Sequence, residues 1–134
     1  MGTDVEIVRR AYAAFARRDL DRMLELVDPQ IEFWTVTAEE TGRDEPYLGA
    51  DGMRRYFADA DAVWDELRLV PHVFESRGDL IVATGRVYAR RGGQVIDSSA
   101  GWHWRVRDGR IVYGRVFRSG EEALAAANGA PGTT

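Results

Sequence analysis

A chain of 134 residues is long enough for one substantial hydrophobic core and too short for two, and its 45% hydrophobic and 30% charged residues are those of a folded globular domain. Lys and Arg number 18 against 22 Asp and Glu, a net charge of −4 with the signs interleaved, which argues against a nucleic-acid partner. Cysteine is absent, which excludes disulfides, thiol nucleophiles and thiolate metal sites, and the two isolated histidines, His72 and His103, are too few for a His-built zinc centre; no metal or organic cofactor is expected.

Val5, Val8, Tyr12 and Phe15 recur at spacings of three and four, the stripe of an amphipathic helix, with Asp4 placed to cap its N-terminus. A second short helix is expected from its cap Asp19 through Leu20, Met23, Leu24 and Val27, stopped by Asp28-Pro29. Ile31, Phe33 and Thr35 then alternate with Glu32, Trp34 and Val36, the period-two pattern of a strand with one buried face. Residues 37–50 mix acidic residues with glycine and proline and read as a long loop or lid. Its Glu39, Glu40, Asp44 and Glu45 form a solvated face, unless one swings over a pocket mouth as an acid or base.

Met53, Tyr56 or Phe57, Ala60 and Trp64 recur at helical spacing and predict a third helix ending before Pro71. Four strands follow, over 66–76, 79–91, 94–107 and 110–118. Arg77-Gly78-Asp79, Arg91-Gly92-Gly93 and Arg107-Asp108-Gly109 join them through turns so tight that consecutive strands must be antiparallel. Residues 121–128 read as a final short helix and 129–134 as a frayed tail, leaving 1–128 as a single domain. Helices followed by strands predict an α+β fold, with a curved antiparallel sheet wrapped around helices on one face to form a cone with an internal pocket. The opening MGTDVEIVRR has no apolar signal core, and no apolar run approaches the roughly 20 residues of a membrane helix, so a cytoplasmic chain with no membrane partner is expected.

This order of elements resembles the nuclear transport factor 2-like fold. YAAFARRDLDRMLELVDPQIEF at 12–33, YLGADGMRRYF at 47–57 and WRVRDGRIVYGRVFRSGEEALAAA at 104–127 look like its SnoaL-like branch. The resemblance covers nearly the whole chain. It implies a pocket without a particular reaction, since such proteins include ketosteroid isomerase, polyketide cyclases, epoxide hydrolases, dehydratases and noncatalytic partners. At the positions where the resemblance places proton-transferring groups, this sequence departs from the pattern. The isomerase base falls on Thr35, whose hydroxyl titrates far above neutral pH. The isomerase acid and the cyclase aspartate fall on Trp102, whose indole only donates a hydrogen bond. Val116 follows Arg115 where the epoxide-hydrolase pattern has an aspartate.

Tyr12 lies where related proteins direct a tyrosine into the pocket, to donate a hydrogen bond to developing oxyanion charge; the alternative is a core aromatic. Trp102 and Trp104 share a strand face with Ile96, Ser98, Ala100 and Val106, beside the small Ala83, Gly85, Val87 and Ala89 of the neighbouring strand. That face predicts a narrowed pocket between Tyr12 and Trp102 for a flat apolar ligand, or plain core packing. Phe15, Phe33, Thr35, Met53, Phe57, Trp64, Ser98, Trp102, Trp104 and Val116 are the expected ligand-binding residues. Asp97 and His103 fall on the outward parity, unless a bulge at 98–101 turns Asp97 inward as a proton-transfer group. Arg118, on the inward parity, would hold an anion at the mouth or pair with Glu121 or Glu122.

Two functions stand side by side. One is a SnoaL-like protein binding an apolar or aromatic small molecule, with Tyr12, Asp97 and Arg118 as catalytic groups if it is a metal-free isomerase, cyclase or dehydratase. The other is a noncatalytic dimerisation or partner-binding module. Trp34, Arg86, Tyr88, Arg90, Tyr113 and Phe117 fall on the outward parity, and the resemblance makes a homodimer through that sheet face the expected assembly.

Overall fold

The computed structural model describes residues 2–35 and 45–129. Helix α1 (Gly2–Ala16) buries Val8, Ala11, Ala14 and Phe15 and turns sharply into α2 (Leu20–Leu26). The corner closes through Arg18, which adopts a left-handed conformation at φ 53°. The Arg18 amide donates to Phe15 O at 2.9 Å and the Asp19 amide to Ala14 O at 2.8 Å, satisfying two of the last carbonyls of α1. The Arg18 guanidinium lies 4.0 Å over the Phe15 ring and donates to Asp61 at 3.1 Å, tying the corner to the third helix. Asp19 caps α2 as expected, accepting from the Arg22 amide at 3.1 Å. Asp4 is not an N-cap: α1 already begins at Gly2, so Asp4 lies inside the first turn, where its charge suits the helix dipole.

Val27 opens strand β1 (Val27–Trp34) instead of ending the second helix, because it pairs with Ile111 of the last strand. Ile31, Phe33 and Thr35 are buried on one side, as their alternation predicts. Val36, residues 37–44 of the expected loop with Glu39, Glu40 and Asp44, and 130–134 of the expected tail lie outside the described residues. Residues 47–50 are not loop: β2 (Tyr47–Leu48) pairs antiparallel with β1, and helix α3 (Gly49–Val63) starts immediately after it. Met53, Tyr56, Phe57, Ala60 and Trp64 are all buried, so both aromatics of the Tyr56-Phe57 pair enter the core.

Strands β3 (Glu66–Arg77), β4 (Leu80–Arg91), β5 (Gln94–Arg107) and β6 (Arg110–Phe117) form the antiparallel run that the glycine turns dictate. The order is β2-β1-β6-β5-β4-β3, with β1 parallel to β6, in a curved sheet that does not close. Helices α1 to α3 cover the concave face, where Trp102, Trp104, Phe33 and Ile111 join Phe15 and Tyr56 in one core. The last helix, α4 (Gly120–Gly129), does not join them. It packs on the opposite face, over Gly101 and His103. Among the described residues no helix is long and apolar enough to cross a membrane.

Candidate functional site

The concave face is divided in two by an aromatic partition. Parity on β5 sends Trp102 and Trp104 inward, as expected, and Tyr12 of α1 meets both edge-on, at centroid distances of 5.2 and 5.6 Å. The Trp104 indole N–H donates to the Tyr12 hydroxyl at 3.1 Å. Trp104 also stacks on Phe33 at 5.7 Å, and there is room because β6 has no side chain at Gly114. Burial pushes the Tyr12 hydroxyl well above its usual pKa, outweighing the Trp104 hydrogen bond, so it stays protonated. Around this cluster only about 30 Å³ is empty, lined by Phe15, Met53, Phe33 and Trp104 among others. The narrowed pocket expected between Tyr12 and Trp102 is therefore reduced to this small space by the two rings themselves.

The larger space lies on the other side of Trp102. It has a volume of about 170 Å³, with Trp64, Leu67, Leu69, Val87, Ala89, Ala100, Trp102 and Val116 as its apolar and aromatic walls. Its rim carries Ile96, Ser98, Phe117 and Arg118, and Thr35 and Tyr56 complete the lining. Of the expected ligand-binding residues, Thr35, Trp64, Ser98, Trp102 and Val116 meet at this cavity. Phe15, Phe33, Met53 and Trp104 line the small inner one, and Phe57 borders neither. Leu67 and Leu69 are wall residues outside the expected ligand-binding set, although their alternation with Arg68 and Val70 marks them as inward. Tyr56 is another, obscured there by Phe57 next to it.

The expected catalytic trio is not brought together. Arg118 borders the larger cavity, and Tyr12 lines the inner one. Asp97 points outward, because β4 and β5 stay in register from Leu80↔Arg105 to Arg91↔Gln94 and the bulge that would reverse it does not form. On the outer face it pairs with Arg86 at 2.9 Å. Among the described residues lining the larger cavity, none is a carboxylate or an imidazole, and Arg118 is the charged one. Burial raises the Tyr56 hydroxyl well above its ordinary pKa, with Tyr47 adding to the shift and Arg18 opposing it, so that group too is a donor near neutral pH. Among the described residues no group of three or more His, Cys, Asp or Glu could hold a metal ion.

His103 takes the outward parity expected of it without being solvent-exposed. It faces outward by parity, yet α4 covers it to 7% exposure, and its Nε2 lies 2.7 Å from the Ala123 carbonyl. A carbonyl only accepts, so Nε2 carries the proton. Gly101 permits this contact, since a Cβ there would lie 2.5 Å from Ala123 Cβ. Burial lowers the His103 pKa; the Ala123 hydrogen bond opposes the shift, and Arg105, Arg115 and Arg77 reinforce it. Phe117, also outward, packs on the His103 ring at 4.4 Å while bordering the cavity rim, so Phe117 and His103 together link α4 to the mouth.

A six-stranded curved sheet folded over helices around an internal space is the architecture of nuclear transport factor 2-like proteins. The chain belongs to the SnoaL-like domain family, whose model matches residues 8–114. Among solved structures, it is similar to a nuclear transport factor 2-like protein of unknown function from Burkholderia pseudomallei K96243, at TM-score 0.79 and 24% identity over 93% of this chain and 97% of that one. It is similar to TerC, co-crystallised with polyporic acid, at TM-score 0.77 and 24% identity over 86% and 90% of the two chains. A candidate SnoaL-like polyketide cyclase from Jannaschia sp. CCS1 is similar at TM-score 0.71 and 18% identity over 94% and 91%. None of the curated proteins matches this chain.

Proposed function

We propose that this chain binds an apolar or aromatic small molecule bearing an anionic group, with the ring seated in the 170 Å³ cavity and the anion at Arg118. The carrying observation is the make-up of that cavity: apolar walls, donor side chains and, among the described lining residues, one guanidinium, that of Arg118, at the rim. Desolvating a flat ring between Trp64, Leu69 and Val87 supplies the affinity, and the planar donor fork of Arg118 matches a carboxylate or phenolate. The acid in the TerC crystals is in keeping with such a ligand. An isomerase, cyclase or dehydratase would also need a proton-transfer group, which the described wall residues do not supply, so we read the site as one of binding. Isothermal titration with 2-naphthoate tests this. Binding is expected to weaken strongly in Ala89→Phe, which fills the cavity, and moderately in Arg118→Leu; equal affinity in all three proteins would contradict the reading.

A second reading, compatible with the first, is a homodimer through the outer sheet face. Val70, Val73 and Val95 lie on that face, 42%, 50% and 57% exposed, around the stacked Arg68 and Tyr88. Sedimentation equilibrium is expected to give twice the chain mass, with Val70→Lys reverting it to one; a wild-type monomer at high concentration would remove this assembly.

A further inference from the structure

We infer that Trp102 is a specificity-determining residue that sets the depth of the cavity and so limits the buried part of the ligand to about one substituted or fused aromatic ring. The inference rests on the binding reading above. Trp102, Tyr56 and Leu69 line both the 170 Å³ cavity and the 30 Å³ one, so they are the wall between them. Trp102 is 1% exposed, and its indole N–H has no hydrogen-bond partner among the described residues. A buried N–H left unpaired is unfavourable, so the depth role is carried by the bulk of the indole and not by a hydrogen bond within the protein. The bulk is held in place. Tyr12 abuts the indole edge-on at 5.2 Å and is itself fixed by Trp104, while Ala83 and Val116 flank Trp102 across the two neighbouring strands.

The volume sets the limit. A dry cavity of about 150 Å³ holds a benzene ring, so 170 Å³ between Arg118 at the rim and Trp102 at the floor takes one ring and its substituents. A longer acid anchored at Arg118 would drive its far end into the indole. Replacing Trp102 by a smaller side chain joins the inner space to the outer one and extends the floor toward Tyr12 and Phe33.

The test is a length series of aryl carboxylates, benzoate, 2-naphthoate and 4-biphenylcarboxylate, titrated calorimetrically into the wild type, Trp102→Leu and Leu69→Ala. In the wild type, affinity is expected to rise from benzoate to 2-naphthoate and then to fall by about tenfold for 4-biphenylcarboxylate. Trp102→Leu should reverse that last step, making the longest acid the tightest. Leu69→Ala opens the same partition from β3 and should move in the same direction, which keeps the test decisive if Trp102→Leu fails to fold. Binding of naphthoate with the same order of affinities in all folded proteins, or an unbroken rise with length in the wild type, overturns the depth role while the binding reading stands. Binding of none of the three acids removes both.

Discussion

The indole N–H of Trp104 donates a 3.1 Å hydrogen bond to the hydroxyl of Tyr12 at the small inner cavity. The bond joins α1 to β5 and gives both polar groups a partner, packing Tyr12 against the core. A hydroxyl with this partner and with its ring edge against Trp102 serves stability. Removing it should therefore unsettle the fold and leave ligand binding intact.

Tyr12→Phe keeps the ring and leaves the Trp104 N–H buried without an acceptor, a loss of about 1–3 kcal/mol. Urea denaturation is expected to report that loss, with 2-naphthoate affinity unchanged. A variant of wild-type stability that no longer binds would return Tyr12 to the site.

Gly114 faces the same cluster from β6, where a Cβ would lie 2.6 Å from Trp104 Cζ3 and 2.9 Å from Phe33 Cδ1. Gly114→Ala should cost about 1–3 kcal/mol through overpacking. Combining it with Phe33→Leu, which frees space beside Trp104, should recover part of that loss in a double-mutant cycle. Strict additivity would mean that the strain is relieved elsewhere.

Much of this fold was legible because local chemistry reports it directly. The three glycine turns mark the antiparallel ladder, and the alternation of Ile31, Phe33 and Thr35 gives the buried side of β1. Parity correctly turned Trp102 and Trp104 inward and Asp97 outward. What alternation cannot report is what lies over a face. The amphipathic spacing of α4 is weak, and its partner, the outer side of Gly101 and His103, depends on a chain reversal at Ser119 and Gly120. The place of the cavity and part of its lining were not legible for a related reason: they depend on Leu67 and Leu69 approaching from an edge strand and on Tyr12 and Trp102 filling each other's space.

His103 should make the docking of α4 sensitive to acid. Its folded pKa lies below the ordinary 6.5, chiefly through burial, so the native state binds fewer protons than the unfolded one. Its contribution is complete above pH 6.5 and declines as pH falls through the window between that value and the folded pKa. Global stability, and hydrogen-exchange protection of α4 in particular, should decrease on acidification through this range. His103→Phe should flatten the decrease. Identical pH profiles for the two proteins would show that the imidazole does not titrate with unfolding.

The Asp97–Arg86 pair is solvated, with side chains 60% and 51% exposed. Asp97→Asn should change stability by less than about 1 kcal/mol and leave 2-naphthoate affinity at the wild-type value. Loss of binding in this variant would require Asp97 to reach the cavity.

The most direct measurement is amide chemical-shift mapping of the protein titrated with 2-naphthoate. Saturable shifts concentrated on Leu67, Leu69, Val87, Ala89, Ile96 and Arg118, with Tyr12 and Asp97 little affected, are the predicted result for a ligand seated outside the Trp102 partition. Shifts centred on the outer sheet face, or the absence of saturation at any concentration, would contradict a binding cavity in this cone.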